Sequence, residues 1–260
     1  VYVASSGDNT VWVYSINKAG VLGDLTFVST IAAGAFSNAV VVDPTGRFVY
    51  VTNANDNTVS MYLINQLTGE LTSIATVATG AGPSYLAVDP TCRFVYVSNV
   101  DDNSVSMYSI NQSSGELTSI AAAVSAGVNP NGIVVDPTGR FVYAANNGDN
   151  TVSMYSINTS SGALISIAAA TAAGAGATGV AVEPTGRFIY VVNANTDTIT
   201  IRSGIDVALD TVLPTYVQMT IYYMRDFEIG EPATFVIGEK HIGGAYVPAN
   251  TNSVITYTSV

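Results

Sequence analysis

Charge is scarce in this chain of 260 residues: Asp, Glu, Lys and Arg together make up 10%, against about 25% in ordinary globular domains. Lysine is almost missing, with Lys18 and Lys240 the only two. The 8 basic residues face 19 acidic ones, for a formal net charge of −11. A negative surface repels phosphate backbones, which excludes nucleic acid as a partner. One cysteine, Cys92, rules out an intrachain disulfide framework. Long apolar runs are absent too. Hydrophobic residues reach 48% and the mean hydropathy is +0.36, yet no run approaches the roughly 18 residues a membrane span requires. The polar surface is left to Ser, Thr, Asn and Gly, which tolerate close protein neighbours better than dense charge does. That composition points to an assembled protein outside the cytoplasm: extracellular, at the cell surface or in the periplasm.

What the chain does have is a repeat. VVDPTGRFVYVTNANDNTVSMY, AVDPTCRFVYVSNVDDNSVSMY, VVDPTGRFVYAANNGDNTVSMY and AVEPTGRFIYVVNANTDTITIR follow one another, with their acidic-Pro pairs starting at Asp43, Asp89, Asp136 and Glu183. The steps are 46, 47 and 47 residues, a period typical of β-propeller blades. Each unit reads as four strands. The first is short and apolar (Asn38 to Val42 in the first copy) and ends at a turn where Pro fixes φ and Gly supplies the permissive corner. The second, Arg-Phe-Val-Tyr-Val, is apolar on both faces, as a strand packed on both sides must be. An Asn/Asp loop leads to the third, Thr58 to Ile64, and a Gly-containing turn to the fourth, Leu71 to Ala78. Ala- and Gly-rich linkers such as Ala168 to Ala177 suit close packing of adjacent units.

The expected fold is therefore an all-β propeller of four-stranded blades, about five and a half of them, in a six-bladed or an incomplete seven-bladed ring. Residues 1–204 carry the regular repeats. Residues 205–260 form a degenerate C-terminal blade region of the same domain, in which ATFVIGEKHIGGAYVPANTNSVITY overlays the repeat with Tyr246 on Tyr50 and Val254 on Val59. VYVASSGDNTVWVY begins in mid-pattern, so an upstream segment is expected. Ragged closure implies self-association through incomplete blade edges, at Val1 to Ala4 or Val254 to Val260.

DPTGRFVYVTNANDNTVSMYLINQLTGELT resembles the repeat of lactonase-type β-propellers, which include bacterial phosphogluconolactonases, and the YVTN repeat of bacterial and archaeal surface proteins. The resemblance covers residues 1–202 well and 233–260 weakly. It implies either a surface module or a lactone hydrolase with an axial pocket. In lactonase-type relatives a His commonly precedes the innermost strand; the matching positions here are Asn38, Ser84, Asn131 and Thr178.

Other residues are weighed for chemistry. The acids Asp43, Asp89, Asp136 and Glu183 could ring the axis for a cation or sugar, or each could cap its own turn with the Arg four positions on offsetting its charge; capping is the expectation. The loops Asn53–Asn57, Asn99–Asn103 and Asn146–Asn150 have oxygen ligands but not an EF-hand spacing, so no metal or cofactor is expected. Cys92 replaces a turn Gly, with Arg93 its only activating neighbour. The sequons Asn111-Gln-Ser113 and Asn158-Thr-Ser160 lie in hairpin loops. The candidate binding residues are Tyr222, Tyr223, Arg225 and Asp226, in the irregular stretch 216–231 where aromatic and Arg content favours a protein or glycan contact, and His241, beside Glu239 and Lys240. No residue is assigned as catalytic. The leading expectation is a non-enzymatic structural, surface-assembly or binding module; the alternative is hydrolysis of a sugar lactone in the axial pocket.

Overall fold

The computed structural model describes residues 1–16, 23–167 and 169–203, and the backbone of 235–237 and 253–255. Among them every regular element is a strand, and no helix is long and apolar enough to cross a membrane. The first sheet holds β1 (Tyr2–Ser5), β2 (Thr10–Ile16) and β3 (Leu25–Ala32). The second holds β4 (Ser37–Val42), β5 (Phe48–Asn53), β6 (Thr58–Ile64) and β7 (Leu71–Ala78) in chain order. The third runs β8 (Pro83–Val88), β9 (Phe94–Asn99), β10 (Ser104–Ile110), with β11 (Leu117–Ser119) and β12 (Val124–Ser125) both pairing β10. The fourth repeats this with β13 (Pro130–Val135), β14 (Phe141–Asn146), β15 (Thr151–Ile157), β16 (Leu164–Ser166) and β17 (Thr171–Ala172). The fifth has β18 (Ala177–Val182), β19 (Phe188–Asn193) and β20 (Thr198–Ser203).

These are propeller blades, all antiparallel and each with its strands in sequence order. Among the described residues the first sheet holds three strands, which match the second to fourth of the repeat. One feature departs from the expected four-strand unit. The outer strand is continuous in the second blade but broken into two short pieces in the third and fourth. There the segment Ser119-Ile-Ala-Ala-Ala-Val124 replaces the alternating Ser73-Ile-Ala-Thr-Val77, and an edge of small residues makes few cross-strand side-chain contacts.

The chain divides into two units, Val1–Thr220 and Ile221–Val260. In the second, β21 (Phe235–Ile237) pairs directly with β22 (Ser253–Ile255), Val236 opposite Val254. Tyr246, expected from the overlay on the repeat, lies outside the described residues.

Blade-to-blade packing forms the core. Phe48, Tyr50, Val59 and Met61 of the second blade are buried against Val95, Val97, Tyr108, Ile110 and Leu117 of the third. Two tyrosine ladders tie the blades together. The second-strand tyrosines donate forward: Tyr2 to Gly69 O at 2.8 Å, Tyr50 to Gly115 O at 3.0 Å and Tyr96 to Gly162 O at 2.9 Å. Third-strand tyrosines donate backward: Tyr62 to Ala32 O at 2.8 Å, Tyr108 to Ala78 O at 2.7 Å and Tyr155 to Ser125 O at 2.7 Å. In the fifth blade Arg202 stands where those tyrosines stand and donates to Ala172 O. Gly115 shows how close the blades come. Its φ is +78°, and a Cβ there would lie 2.3 Å from the Phe48 ring.

Burial raises the pKa of Tyr50, Tyr62, Tyr96, Tyr108 and Tyr155 above the ordinary phenol value, with the Asp43 and Asp89 charges adding to the rise at Tyr50 and Tyr96. A raised folded-state pKa gives stability that is complete below the unfolded value of about 10 and lost as pH climbs through the folded one. The protein is therefore expected to unfold cooperatively above about pH 10, with tyrosinate absorbance rising together with loss of β-sheet ellipticity. Phenol titration in a fully folded protein would contradict the burial.

Candidate functional site

Each turn after an innermost strand is built around its acid. Asp43 Oδ1 accepts the backbone N–H groups of Arg47 and Phe48, both at 2.7 Å, while Oδ2 accepts the Thr45 N–H at 3.2 Å and the Thr45 hydroxyl. Asp89 and Asp136 repeat the set, and Glu183 reproduces it with its longer arm. All four are buried. At Glu183 burial works to raise the pKa, but hydrogen bonds from Thr185, Arg187 and Phe188 outweigh it, and the net shift is downward. The acids thus cap their turns. Each following arginine lies over the next ring, with Arg47 5.0 Å from the Phe48 centroid and Arg93 4.8 Å from that of Phe94, and Arg47 and Arg93 donate through Nε to the Thr45 and Thr91 hydroxyls at 3.2 Å.

The Asn/Asp loops spend their oxygens on the backbone in the same way. Asp56 Oδ2 accepts Ala35 N–H at 2.7 Å, and Asn57 Oδ1 accepts Gly82 N–H at 2.9 Å. Asn57, Asn103 and Asn150 adopt φ of 54°, 51° and 59°, the left-handed conformation that Asn tolerates in tight connections. Asn111 Oδ1 likewise accepts Ser113 N–H at 2.9 Å. Cys92 also has a positive φ, 58°, and is buried. Burial pushes its thiol pKa up, with the Asp43 and Asp89 charges adding to the rise, so it is held as an inert thiol.

The four positions that match those where lactonase-type relatives commonly carry His line up along successive innermost strands. The register between innermost and second strands slips between Ser37 and Val40, Pro83 and Leu86, Pro130 and Ile133, and Ala177 and Gly179. Asn38, Ser84, Asn131 and Thr178 all sit in these bulges, which re-aim side chains out of the ladder. Asn38 Nδ2 donates to Ser84 O and Ser84 Oγ, both at 3.3 Å, and Ser84 Oγ donates to Asn131 Oδ1 at 3.5 Å. Close approach continues to the fifth blade, where a Cβ on Gly132 would lie 2.5 Å from Thr178 O. The result is an arc of amides and hydroxyls along successive innermost strands.

Two residues missed in the sequence hold this arc. Thr52 Oγ1 accepts the Ala39 N–H freed by the bulge, at 3.0 Å, and donates to Ser84 O at 2.9 Å. Ser98 Oγ bonds Tyr85 N–H at 3.2 Å and the Asn131 carbonyl. Their signal was the hydroxyl before the loop Asn in the second and third blades, which Ala145 and Val192 replace in the fourth and fifth. Tyr222, Tyr223, Arg225, Asp226 and His241 lie outside the described residues.

Replacing a turn acid by its amide puts an N–H₂ against the Thr138 N–H that Asp136 Oδ2 now accepts. Asp136→Asn is expected to cost about 2 kcal/mol, read as a lower midpoint in urea. A neutral result would show that the carboxylate is not what holds the turn.

The family model for lactonase, 7-bladed β-propeller, matches residues 1–130 and 127–206. Similar solved structures include a proposed 6-phosphogluconolactonase from Bacteroides uniformis, at TM-score 0.70 and 17% identity over 78% of this chain and 63% of that one. A protein from Lactobacillus plantarum gives TM-score 0.70 and 21% identity over 78% and 63%. The periplasmic gluconolactonase of Pseudomonas aeruginosa gives 0.66 and 21% over 75% and 59%. The chain thus spans less than two thirds of the length of these proteins, and at such identities the likeness is one of fold. No curated protein matches it in sequence. The repeat, its turns and the match over most of the chain place this protein in the lactonase family of seven-bladed β-propellers.

Proposed function

We propose that the protein acts on a sugar lactone at the axial end of the bulged innermost strands, the arc Asn38–Ser84–Asn131–Thr178 supplying hydrogen bonds to the substrate. The observation that carries this reading is the arc itself, within a family whose model matches residues 1–206. Amides and hydroxyls both donate and accept, which suits a polyol ring. An N–H aimed at the lactone carbonyl would steady the oxyanion that forms when water adds. Water addition also needs a general base. None of the four arc side chains is an acid or base near neutrality, so the base comes from outside the arc. The scarcity of charge supports a setting outside the cytoplasm.

The neutrality of those four positions also supports the second reading, a non-enzymatic surface or binding module that keeps the fold and has lost the chemistry. Hydrolysis of glucono-lactone and 6-phosphogluconolactone, followed by proton release at constant pH, separates the two. The first reading predicts turnover above the buffer rate. It also predicts a KM raised roughly 3- to 10-fold in Asn131→Ala or Ser84→Ala, the worth of one substrate hydrogen bond. No turnover on any sugar lactone by the full chain, with ordered polymers in micrographs, would establish the second.

A further inference from the structure

Two asparagines on the blade hairpins are presented to solvent and play no part in the site above. Asn111-Gln-Ser113 and Asn158-Thr-Ser160 are the only two Asn-X-Ser/Thr sequences in the chain, the acceptor pattern for N-linked glycan. Both fall at one structural position, the hairpin after the third strand, in the third and fourth blades. The two hairpins are built alike. Asn111 Oδ1 accepts the N–H groups of Ser113 and Ser114 at 2.9 and 3.2 Å, and Asn158 Oδ1 those of Ser160 and Ser161 at 3.0 and 3.1 Å. Such a turn fixes the amide by its oxygen. Nδ2 is the atom left over: neither it nor the hydroxyl of Ser113 or Ser160 bonds a described residue, and all four residues are exposed.

The second blade shows how much room this corner has. Its hairpin makes the same turn, with Asn65 Oδ1 accepting the Leu67 and Thr68 N–H groups at 3.0 and 3.2 Å. Leu67, in the place of Ser113 and Ser160, is 97% exposed. The inner side of each hairpin does the packing: Gly115 and Gly162, not the asparagines, meet Tyr50 and Tyr96 of the preceding blade. Strand pairing also sets the hairpins apart from the arc. Ile110 faces Leu117, and Ser109 faces Phe94, at the hairpin end, whereas the bulge at Ser84 lies beside the Pro83–Asn99 pair at the other end. The strand Phe94–Asn99 separates the two ends by roughly 17 Å.

We propose that Asn111 and Asn158 are acceptor sites for N-linked glycan, one oligosaccharide on each of two neighbouring hairpins at the end of the blades away from the arc. The donor is an oligosaccharide carried on a polyprenyl pyrophosphate. Nδ2 forms a bond to the anomeric carbon, and the bond from that carbon to the pyrophosphate oxygen breaks. The electron pair leaves with the pyrophosphate, and one Nδ2 proton passes to a base of the transferase. A bulky, hydrated group then covers a surface that has little charge of its own to keep it soluble. The proposal rests on the reading that the protein lives outside the cytoplasm, and not on the lactone reading, since no residue of the arc takes part.

The test sends the full chain through the yeast secretory pathway behind a secretion leader. Secretion is imposed, so the outcome concerns the hairpins and not the natural location. Glycans are located by intact mass and peptide mapping, before and after an amidase that turns each glycosylated Asn into Asp. Both Asn111 and Asn158 are expected to be occupied. Ser113→Ala and Ser160→Ala keep the turns, whose partners are backbone N–H groups, and each is expected to remove one glycan. Leu67→Ser is expected to add a third, at Asn65. The glycosylated protein and the double Ser→Ala variant are expected to melt at the same temperature, because the sugar extends into solvent. A missing glycan at Asn111 or Asn158, a bare Asn65 in Leu67→Ser, or a glycosylated form that melts well below the double variant would overturn the proposal.

Discussion

One buried carboxylate in each of the second to fifth blades organises the rest of the structure. A chain leaving the innermost strand has to reverse within a few residues and bring its last turn N–H, that of Phe48, into the core, where a donor without a partner is costly. Asp43 and its counterparts solve this by taking three backbone donors and a hydroxyl on two oxygens. With the corner fixed, the second strand enters the sheet with Phe and Tyr on one face and Val on the other. Both faces then find a neighbouring blade. The tyrosine ladders and the Gly115–Phe48 contact depend on that entry being the same in every copy.

The same corner sets the register of the innermost strand against the second, and so where the ladder has to slip. All four slips fall at the positions matching those where lactonase-type relatives commonly carry histidine. A bulge frees an amide and turns a side chain away from the sheet, and in the second and third blades Thr52 and Ser98 satisfy that amide while bonding the next blade. The polar arc is thus supported by the frame. Family membership over 1–206 favours lactone chemistry over the purely structural role that low charge and absent histidines had favoured.

The strands, the turn acids and the Asn loops were legible because each has a local cause: alternation, a capping side chain, a residue that tolerates positive φ. The bulges were not, since two residues facing one leaves no mark in a pattern of period two. Neither was the relay through Thr52 and Ser98, whose hydroxyls matter only once the next blade is beside them. The split outer strands escaped notice because Ile120 and Val124 keep the look of a strand while the alanines between them do not hold one.

The central claim is that frame and site are one construction, with the corner acids placing a ligand-binding arc at the bulges. A crystal structure of the full chain soaked with an aldonic acid, the product of lactone hydrolysis, tests it most directly. The account predicts the sugar acid against Asn38, Ser84 and Asn131, its hydroxyls replacing the bonds that Ser84 Oγ now makes to its neighbours. Density for the sugar acid elsewhere, with the arc closed on itself as before, would contradict it.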